Sequence, residues 1–407
     1  MKSMRLTLAI GVAALSGVGA AFGAVSSSSA SDGGVSVLRL PAVQVTKLVS
    51  GRDRTVLALG VANGSQALVL RMHSDGSVDT SFGSGGRVLL PRAKGIGWTD
   101  GAVLPDGRVL VAGTDHYGLI DAGPTTATGS HLVLLMLDAK GHVSSAFGRN
   151  GYVISGQTSC LRGPTGVLVS GGRILVAALD WCRYQDPRTL EVLAFTPEGA
   201  PLDSFGTHGA ARLWSIPLTA LDRTPLLSAE AGRILVASPA ATAGSFSLTR
   251  LRPDGTPDTA FGRGGTTTTV LGPSTTGIQL DGMFETRGGQ VSTTGCAQQG
   301  PFIARFNRNG APYTFLMGTP GGLTNVESYG GAFGSYCASF AQLTKSDVAA
   351  AGAVLAYLLP SGLLDSRRAF VRLPKMQAPS HALAVSTDGV LFVSSKIGDW
   401  TIIGRYR

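Results

Sequence analysis

The chain has 407 residues, of which 57 are Gly and 20 are Pro. Gly is about twice as frequent as the roughly 7% of average proteins, and charged residues make up 14%, against an average of about 25%. The hydrophobic content of 43% excludes a mostly disordered chain, and the lack of a Gly at every third position excludes collagen. The length allows two or three ordinary domains or one repeat architecture.

Residues 1–24 have the pattern of a secretory signal peptide. Lys2 and Arg5 form a positively charged start, and a Gly- and Ala-rich apolar run continues to Ala24. That run is also long enough to span a membrane, so an uncleaved anchor is the alternative. We predict cleavage, followed by a flexible Ser-rich linker over 25–33. The mature protein would then be secreted or associated with the cell envelope, extracellular or periplasmic, without a membrane span.

The positive charge of the chain does not point to nucleic acid. The formal net charge of +9 falls to +7 when Lys2 and Arg5 are removed. Of the 34 basic residues, 27 are Arg, and they occur singly along the chain instead of forming a basic stripe. We therefore expect no nucleic-acid partner.

A segment ending in F-G-x-x-G recurs along the chain. Its clearest copies are DGSVDTSFGSGGRVLL from Asp75, KGHVSSAFGRNGYVIS from Lys140, EGAPLDSFGTHGAARLWS from Glu198 and DGTPDTAFGRGGTTTTV from Asp254, and weaker copies begin at Asn309 and Ser361. The turn glycines are spaced by 65, 58, 56, 55 and 52 residues. A β-rich run precedes the segment, and earlier still comes a hairpin pattern such as GAVLPDGRVLVAG from Gly101. Four antiparallel strands per ~55 residues indicate a propeller blade.

Each clear copy contains one large apolar residue in register with its turn. These residues are Phe82, Phe147, Phe205 and Phe261. We predict that they fill the space between neighbouring blades. The acids of the first and fourth copies superficially resemble a calcium loop, but the second and third copies break that pattern, so we expect no metal site and no cofactor.

The repeated F-G-x-x-G segment, preceded by sequences such as DGRVLVAG, resembles the delta-60 repeat family of bacterial, often exported, predicted β-propellers. The resemblance covers nearly the whole chain after the signal segment, and it weakens after about residue 300 as F-G-x-x-G decays. It implies a fold and an exported location. It brings no catalytic residues.

The two ends of the chain are predicted to share one blade. The segment from Ala382 supplies three strands, and DGGVSVLRLPAV from Asp32 resembles the fourth-strand segment from Phe82. Such sharing would remove two open sheet edges. We therefore predict an all-β, seven-bladed β-propeller of four-stranded antiparallel blades over 34–407, with six or eight blades as alternatives. The expected blades span about 46–92, 98–157, 163–215, 222–272, 279–323, 338–374, and 380–407 plus 34–45.

The two ends of such blades differ in sequence. The connections from second to third strands and from one blade to the next lie at one end of the blades, here called the loop face. The turns from first to second and from third to fourth strands lie at the other end, here called the turn face. Uniform Asp-Gly turns occupy the turn face, whereas the loop face receives irregular segments. Binding residues concentrate on loops held by a rigid scaffold, so the predicted ligand-binding residues are Trp98, His116, Tyr117, Trp181 and Tyr184. The alternative is that these side chains cover loop clusters or strand ends.

Four cysteines also fall on the loop face: Cys160, Cys182, Cys296 and Cys337. They form no C-x-x-C pair, which disfavours zinc and redox sites, and an even count in an exported chain suggests two disulfides. Three connectivities are possible. The blade positions favour Cys160 with Cys182 inside the third blade and Cys296 with Cys337 between the fifth and sixth.

Together these features predict an exported, monomeric, non-catalytic binding scaffold at the cell envelope. Its partner would be an extracellular glycan, a peptide or an envelope protein. The alternative is a propeller-type hydrolase or lyase with a site at the channel mouth, although the six His are dispersed and no G-x-S-x-G elbow occurs. A purely structural module of an envelope assembly would share every feature of the binder.

Overall fold

The computed structural model describes most of the chain between residues 36 and 317 and shorter segments elsewhere. The described residues are 26–29, 36–51, 53–63, 66–90, 96–115, 131–155, 161–181, 188–216, 226–230, 232–240, 242, 244–271, 278–285, 288–297, 300–317, 338–342, 347–351, 354–358, 371–372, 380–385, 390–397 and 400–406. The predicted signal segment 1–24 lies outside them.

The described residues form strands and turns, without a helix. The first two strands are β1 (Ser26–Ser29) and β2 (Ser36–Pro41). Sheet I contains β3 (Val43–Ser50), β4 (Thr55–Ala62), β5 (Gln66–His73) and β6 (Arg87–Leu89). Sheet II contains β7 (Ile96–Val103), β8 (Val109–Asp115), β9 (His131–Leu137) and β10 (Tyr152–Ser155). Sheet III contains β11 (Leu161–Ser170), β12 (Arg173–Trp181), β13 (Arg188–Phe195) and β14 (Ala210–Ile216).

The later strands repeat this arrangement. Sheet IV contains β15 (Leu226–Glu230), β16 (Arg233–Pro239), β17 (Ser245–Leu251) and β18 (Thr266–Val270). Sheet V contains β19 (Gln279–Glu285), β20 (Val291–Ala297), β21 (Gly300–Phe306) and β22 (Pro312–Met317). Sheet VI contains β23 (Ala338–Gln342), β24 (Asp347–Ala351), β25 (Val354–Leu358) and β26 (Val371–Arg372). The last strands are β27 (Ser380–Val385), β28 (Leu391–Ile397) and β29 (Trp400–Tyr406).

Sheets I to VI are four-stranded antiparallel meanders in chain order, which confirms the predicted all-β fold with four-stranded units. The remaining described strands form sheet VII, in the order β27, β28, β29, β2, β1. In this sheet β2 pairs with β29, and β1 then pairs with β2 from Ser26↔Arg39 to Ser29↔Ser36.

The fifth strand of sheet VII is a departure from the prediction. Residues 25–33 were expected to form a flexible linker, yet Ser26–Ser29 within them form β1. The physical reason is that β2 has a second edge of backbone N–H and C=O groups beyond its pairing with β29, and the serines satisfy that edge.

Apolar clusters lie between successive sheets. The cluster between sheets I and II includes Leu57 and Val111, and further clusters join II to III, III to IV and IV to V. Another cluster combines Phe392 and Ile403 of sheet VII with Leu70 of sheet I. First strands also contact one another in the order β3, β7, β11, β15, β19, β23, β27, and β27 contacts β3. Burial of these apolar faces is the main stabilising contribution.

The recurring phenylalanines lie inside these clusters, as predicted. Phe82, Phe147, Phe205 and Phe261 are fully buried, each in the cluster that joins its own sheet to the next. Replacing such a side chain by Ala typically lowers the free energy of unfolding by about 3–5 kcal/mol.

The glycine after each of these phenylalanines joins two sheets. Gly83 donates its N–H to the carbonyl of Lys140 at 2.7 Å, and the same bond recurs at Gly148, Gly206 and Gly262. Gly83 has a φ of +57°, and a Cβ there would lie 2.1 Å from the Arg87 carbonyl oxygen. Only Gly fits, because the turn needs a left-handed backbone and close approach of the chain.

An arginine makes a second bond across the same junctions. Each arginine donates to the carbonyl of the residue two positions before the next turn glycine: Arg71 to Ala139 (2.7 Å), Arg108 to Pro197 (3.1 Å), Arg173 to Pro253, Arg250 to Arg308 (2.6 Å) and Arg405 to Ser74. These arginines, here called the junction arginines, come from different places. Arg71, Arg250 and Arg405 lie on third strands, whereas Arg108 and Arg173 lie at or just before the start of second strands.

Two junction arginines are held by an acid of the repeated segment. Arg71 Nε donates to Asp79 Oδ2 at 2.7 Å, and its guanidinium carbon lies 4.5 Å from the centre of the Phe82 ring. Burial opposes ionisation of Asp79, but hydrogen bonds from Ser81 and Arg71 outweigh it and lower the pKa of Asp79. Asp79, one of the acids that resemble a calcium loop, is thus bonded to Arg71 and Ser81 of its own repeat.

Candidate functional site

Five first strands carry a β-bulge at equivalent places near the loop face. The register shifts lie between Val45 and Lys47, Trp98 and Asp100, Pro164 and Gly166, Leu280 and Gly282, and Ser380 and Ala382. The extra residues, here called the bulge residues, are Thr46, Thr99, Thr165, Asp281 and His381. All five are polar. Bulges re-aim side chains and are enriched near active sites.

The three bulge threonines make the same contact. Thr46 Oγ1 donates to the Leu59 carbonyl at 3.3 Å, and Thr99 and Thr165 bond equivalent carbonyls of their own second strands at 3.3 Å. Thr46 and Thr99 are nevertheless exposed, and Thr165 is half-buried. Each hydroxyl has two acceptor lone pairs besides this donor, so the threonines present acceptors to solvent.

A buried carboxylate ties the first strands of three sheets together. Asp100 follows a bulge on β7 and has 4% of its side chain exposed. It forms an ion pair with Lys47 of β3 and accepts the Val167 N–H of β11 at 2.8 Å. A first strand is the edge of its sheet, so the N–H groups on its outer side have no neighbouring strand in that sheet. Asp100 supplies an acceptor for one of them and fixes the spacing of the bulges.

Glycines opposite two bulges allow the strands to approach closely. A Cβ on Gly60 would lie 2.2 Å from the Gln44 carbonyl oxygen, and one on Gly113 would lie 2.6 Å from that of Gly97. Real Cβ atoms do not reach such distances. These residues therefore position Thr46 and Thr99.

Trp98, one of the predicted ligand-binding residues, lies on β7 directly before the bulge residue Thr99. It is half-buried and packs against the cluster between sheets I and II. With Thr46, Thr99 and Asp100 it borders a cavity of about 10 Å³. That volume holds roughly one water molecule, so the cavity is too small for a sugar or peptide side chain.

A second polar pair flanks the longest connection from a second to a third strand. Asp115 ends β8 and His131 begins β9, and the two residues are register partners. Both are buried, at 1% and 8% exposure. They end the two strands on either side of residues 116–130, which contain the predicted His116 and Tyr117.

The remaining predicted residues are only partly covered by the structure. His116, Tyr117, Tyr184, Cys160, Cys182 and Cys337 lie outside the described residues. Trp181 ends β12, with its Cα paired to Leu161, and Cys296 lies on β20, paired with Gln279 and Pro301. The side chains of these two residues are outside the description. Among the five predicted ligand-binding residues, the structure therefore gives side-chain surroundings for Trp98.

The sequence-based prediction missed the bulge residues, Lys47 and Asp100. One signal was available, since Thr-Asp interrupts the apolar pattern of GWTDGAV from Gly97. Among the described residues, no group of three or more His, Cys, Asp or Glu is arranged to hold a metal ion. No helix in the described segments is long and apolar enough to cross a membrane.

Structural comparison returns solved structures at low sequence identity. The Neurospora crassa Pan2 WD40 domain is 9% identical, with a TM-score of 0.49 and coverage of 89% of both chains. Dihydro-heme d1 dehydrogenase NirN is 13% identical, with a TM-score of 0.45 and coverage of 89% of this chain and 64% of that chain. A prolyl endopeptidase is 13% identical, with a TM-score of 0.45 and coverage of 90% of this chain and 52% of that chain. The chain thus spans less than two thirds of the length of NirN and about half of the endopeptidase.

No curated protein matches the sequence. A family model described as "Domain of unknown function (DUF5122) beta-propeller" matches residues 53–82 and 232–261. These segments occupy the same place in sheets I and IV, from the approach to the second strand through the buried Phe. The match and the sheet topology together support a repeat family of the β-propeller type.

Proposed function

We propose that the seven sheets are the blades of a closed seven-bladed propeller of the delta-60 repeat type, in which β2 completes the last blade. Support comes from the junction between sheets VII and I, which repeats the arginine bond and the apolar cluster found at the four junctions from sheet I to sheet V. Arg405 donates to the Ser74 carbonyl as the other junction arginines do, and Thr401 donates to the Val43 carbonyl. The cluster containing Phe392 and Leu70 occupies the same junction.

The chain acts in this proposal as an exported, non-catalytic binding module at the cell envelope, using its loop face. The observation that carries this is the difference between the two faces. Turn-face junctions repeat the same glycine and arginine bonds from sheet to sheet. Loop-face connections vary from short, as between Ala297 and Gly300, to long, as between Asp115 and His131. A rigid frame with variable loops at one end suits recognition.

The partner is an extracellular glycan, a peptide or an envelope protein. Exposed aromatic side chains are frequent anchors in such interfaces, and His116, Tyr117, Trp181 and Tyr184 belong to the loop-face segments. Trp98 is left out of the binding test because it packs between sheets I and II, so its removal would also lower stability. A hydrolase or lyase site at the channel mouth remains the rival function.

The test compares an aromatic pair on the loop face with an aromatic on the turn face. The mature protein carries Trp181→Ala and Tyr117→Ala in one variant, and Tyr313→Ala, an exposed tyrosine near the turn face, in the control. We expect retention on purified cell-wall material to fall in the first variant alone, with melting temperatures unchanged. Equal retention of all three proteins would contradict the proposal. Turnover in a hydrolase and lyase screen would favour the rival.

A further inference from the structure

The bulge residues have no role in the packing described above. Five homologous first-strand positions each gain one residue, and all five residues are polar. Three of the five are Thr, and bulges re-aim side chains and are over-represented next to active sites. The repetition at one level of the inner strands points to a shared ligand.

We propose that the bulge residues form a carbohydrate-binding ring at the loop-face mouth of the central channel. This inference rests on the proposed function, because it requires the first strands to surround one channel. It adds the ligand class and the residues that bind it.

The location follows from exposure and strand order. Thr46 lies on a strand flanked by its own second strand and by the first strands of neighbouring sheets. It is exposed despite these neighbours, so its free side faces the middle of the ring. Thr99 repeats this position, and its Oγ1 also lies 3.5 Å from the Pro164 carbonyl oxygen, next to Thr165. Thr99 therefore lies against the bulge of sheet III, and Thr46 and Thr99 border the same small cavity between sheets I and II.

The chemistry of the ligand follows from what the ring offers. The threonine protons are directed to carbonyls of the second strands, which leaves acceptor lone pairs. The equivalent positions in sheets V and VII are occupied by Asp281 and His381, whose side chains lie outside the described part of the chain. An acceptor-rich ring is best satisfied by a ligand with many hydroxyl donors.

The charge balance favours a neutral ligand. Lys47 directly follows Thr46 on β3, and its ion pair with Asp100 neutralises it. The same carboxylate accepts the Val167 N–H, so the threonines are held in place before a ligand arrives. Preorganised polar groups lose little conformational entropy on binding. The three threonine hydroxyls are an uncharged, fixed set of acceptors, and a sugar hydroxyl fits them better than an ion does.

The experiment uses the mature full-length protein and saturation-transfer NMR. The probes are glucose, galactose, mannose, fucose and N-acetylglucosamine, with tetramethylammonium as a cationic competitor. One variant changes Thr46, Thr99 and Thr165 to Val, and a second changes them to Ser, which keeps the hydroxyls. The matched control changes three exposed turn-face threonines to Val: Thr80, Thr207 and Thr259.

We expect at least one sugar to bind the wild-type protein, the Ser variant and the control. Its affinity should fall at least tenfold in the Val variant, while the melting temperature stays within a few degrees of the control. Three outcomes would overturn the inference: no sugar of the panel binds, the Val variant binds as tightly as the wild type, or tetramethylammonium binds at the ring in place of sugar.

Cell-wall retention separates this inference from the proposed function. The ring proposal fails, and the loop-face proposal stands, if two results are found together. The first is that the Val variant binds sugar as tightly as the wild type and is retained normally. The second is that the variant with Trp181→Ala and Tyr117→Ala loses retention. If that aromatic variant is retained like the wild type, the loop-face proposal itself fails.

Discussion

Arg250 offers a quantitative test of the junction between sheets IV and V. Its side chain is 7% exposed, donates to Asp258 Oδ2 at 2.7 Å and donates to the Arg308 carbonyl at 2.6 Å. The guanidinium carbon lies 4.6 Å from the centre of the Phe261 ring. Changing Arg250 to Met removes all three contacts but keeps a long apolar side chain. Met136 occupies the equivalent position in sheet II, since its carbonyl accepts the Ser144 N–H as the Arg250 carbonyl accepts the Asp258 N–H.

The cost can be derived from these contacts. Breaking a buried ion pair costs about 3–5 kcal/mol, because the remaining charge has lost its partner. Asp258 keeps 16% of its side chain exposed and regains some hydration, so we expect Arg250→Met to lower the free energy of unfolding by about 2–3 kcal/mol. Adding Asp258→Ser copies the Met136 and Ser144 pair of the second repeat. The free energy of unfolding of this double variant should exceed that of the single variant by at least about 1 kcal/mol, because no unpaired charge remains.

The assay is equilibrium urea unfolding followed by tryptophan fluorescence. Arg263→Met is the control, since Arg263 is exposed on the same segment and should change stability by less than about 0.5 kcal/mol. The reasoning would be refuted if Arg250→Met cost no more than Arg263→Met. It would also be refuted if Asp258→Ser destabilised the protein further in the Arg250→Met background.

Three further predictions concern the turns and the loop face. Gly262→Ala should lower the free energy of unfolding by at least about 1–2 kcal/mol more than Gly264→Ala does. Both glycines have positive φ, but a Cβ would clash only at Gly262, where it would lie 2.2 Å from a carbonyl oxygen. Equal urea midpoints of the two variants would refute this. The pKa of Asp79 is lowered on folding, so its ionised form stabilises the folded protein at pH values above the unfolded pKa of about 3.9. This stabilisation is lost as the pH falls through the lower pKa of Asp79 in the folded protein. The stability gap between wild type and Asp79→Asn should therefore shrink below about pH 4, and a gap that widens there would contradict the sign. Cys160 and Cys182 adjoin the register pair that closes β11 and β12, so peptide mapping of the secreted, non-reduced protein should find them linked; free thiols at both would disprove the pairing.

Much of the fold could be predicted because it is encoded locally. Turn glycines such as Gly76 and Gly255 must adopt positive φ, so they recur at fixed places in the sequence. Phe82 and Phe261 recur because each fills the same space between two sheets. Local turn chemistry and one packing residue per repeat were sufficient to predict four-stranded antiparallel units.

The candidate site was harder to predict because its parts are distant in sequence. Lys47 and Asp100 lie on different sheets, and neither belongs to the repeated segment. A bulge adds one residue without a turn signal, so Thr46 and Thr99 look like ordinary strand residues. The strand β1 was missed because four serines carry no apolar alternation, and their pairing depends on an edge supplied by β2.

The pairing between β2 and β29 is the central claim of the closed-ring account. Hydrogen–deuterium exchange of the mature protein tests it most directly, because the amides of β2 that bond to β29 are protected only if these two strands pair. The register runs from Ser36↔Arg405 to Pro41↔Trp400. We predict that the amides of β2 exchange as slowly as those of β28. On mild destabilisation, β2 and β29 should lose their protection together. Exchange of β2 within seconds, while β28 and β29 stay protected, would contradict closure of the ring by the two ends of the chain.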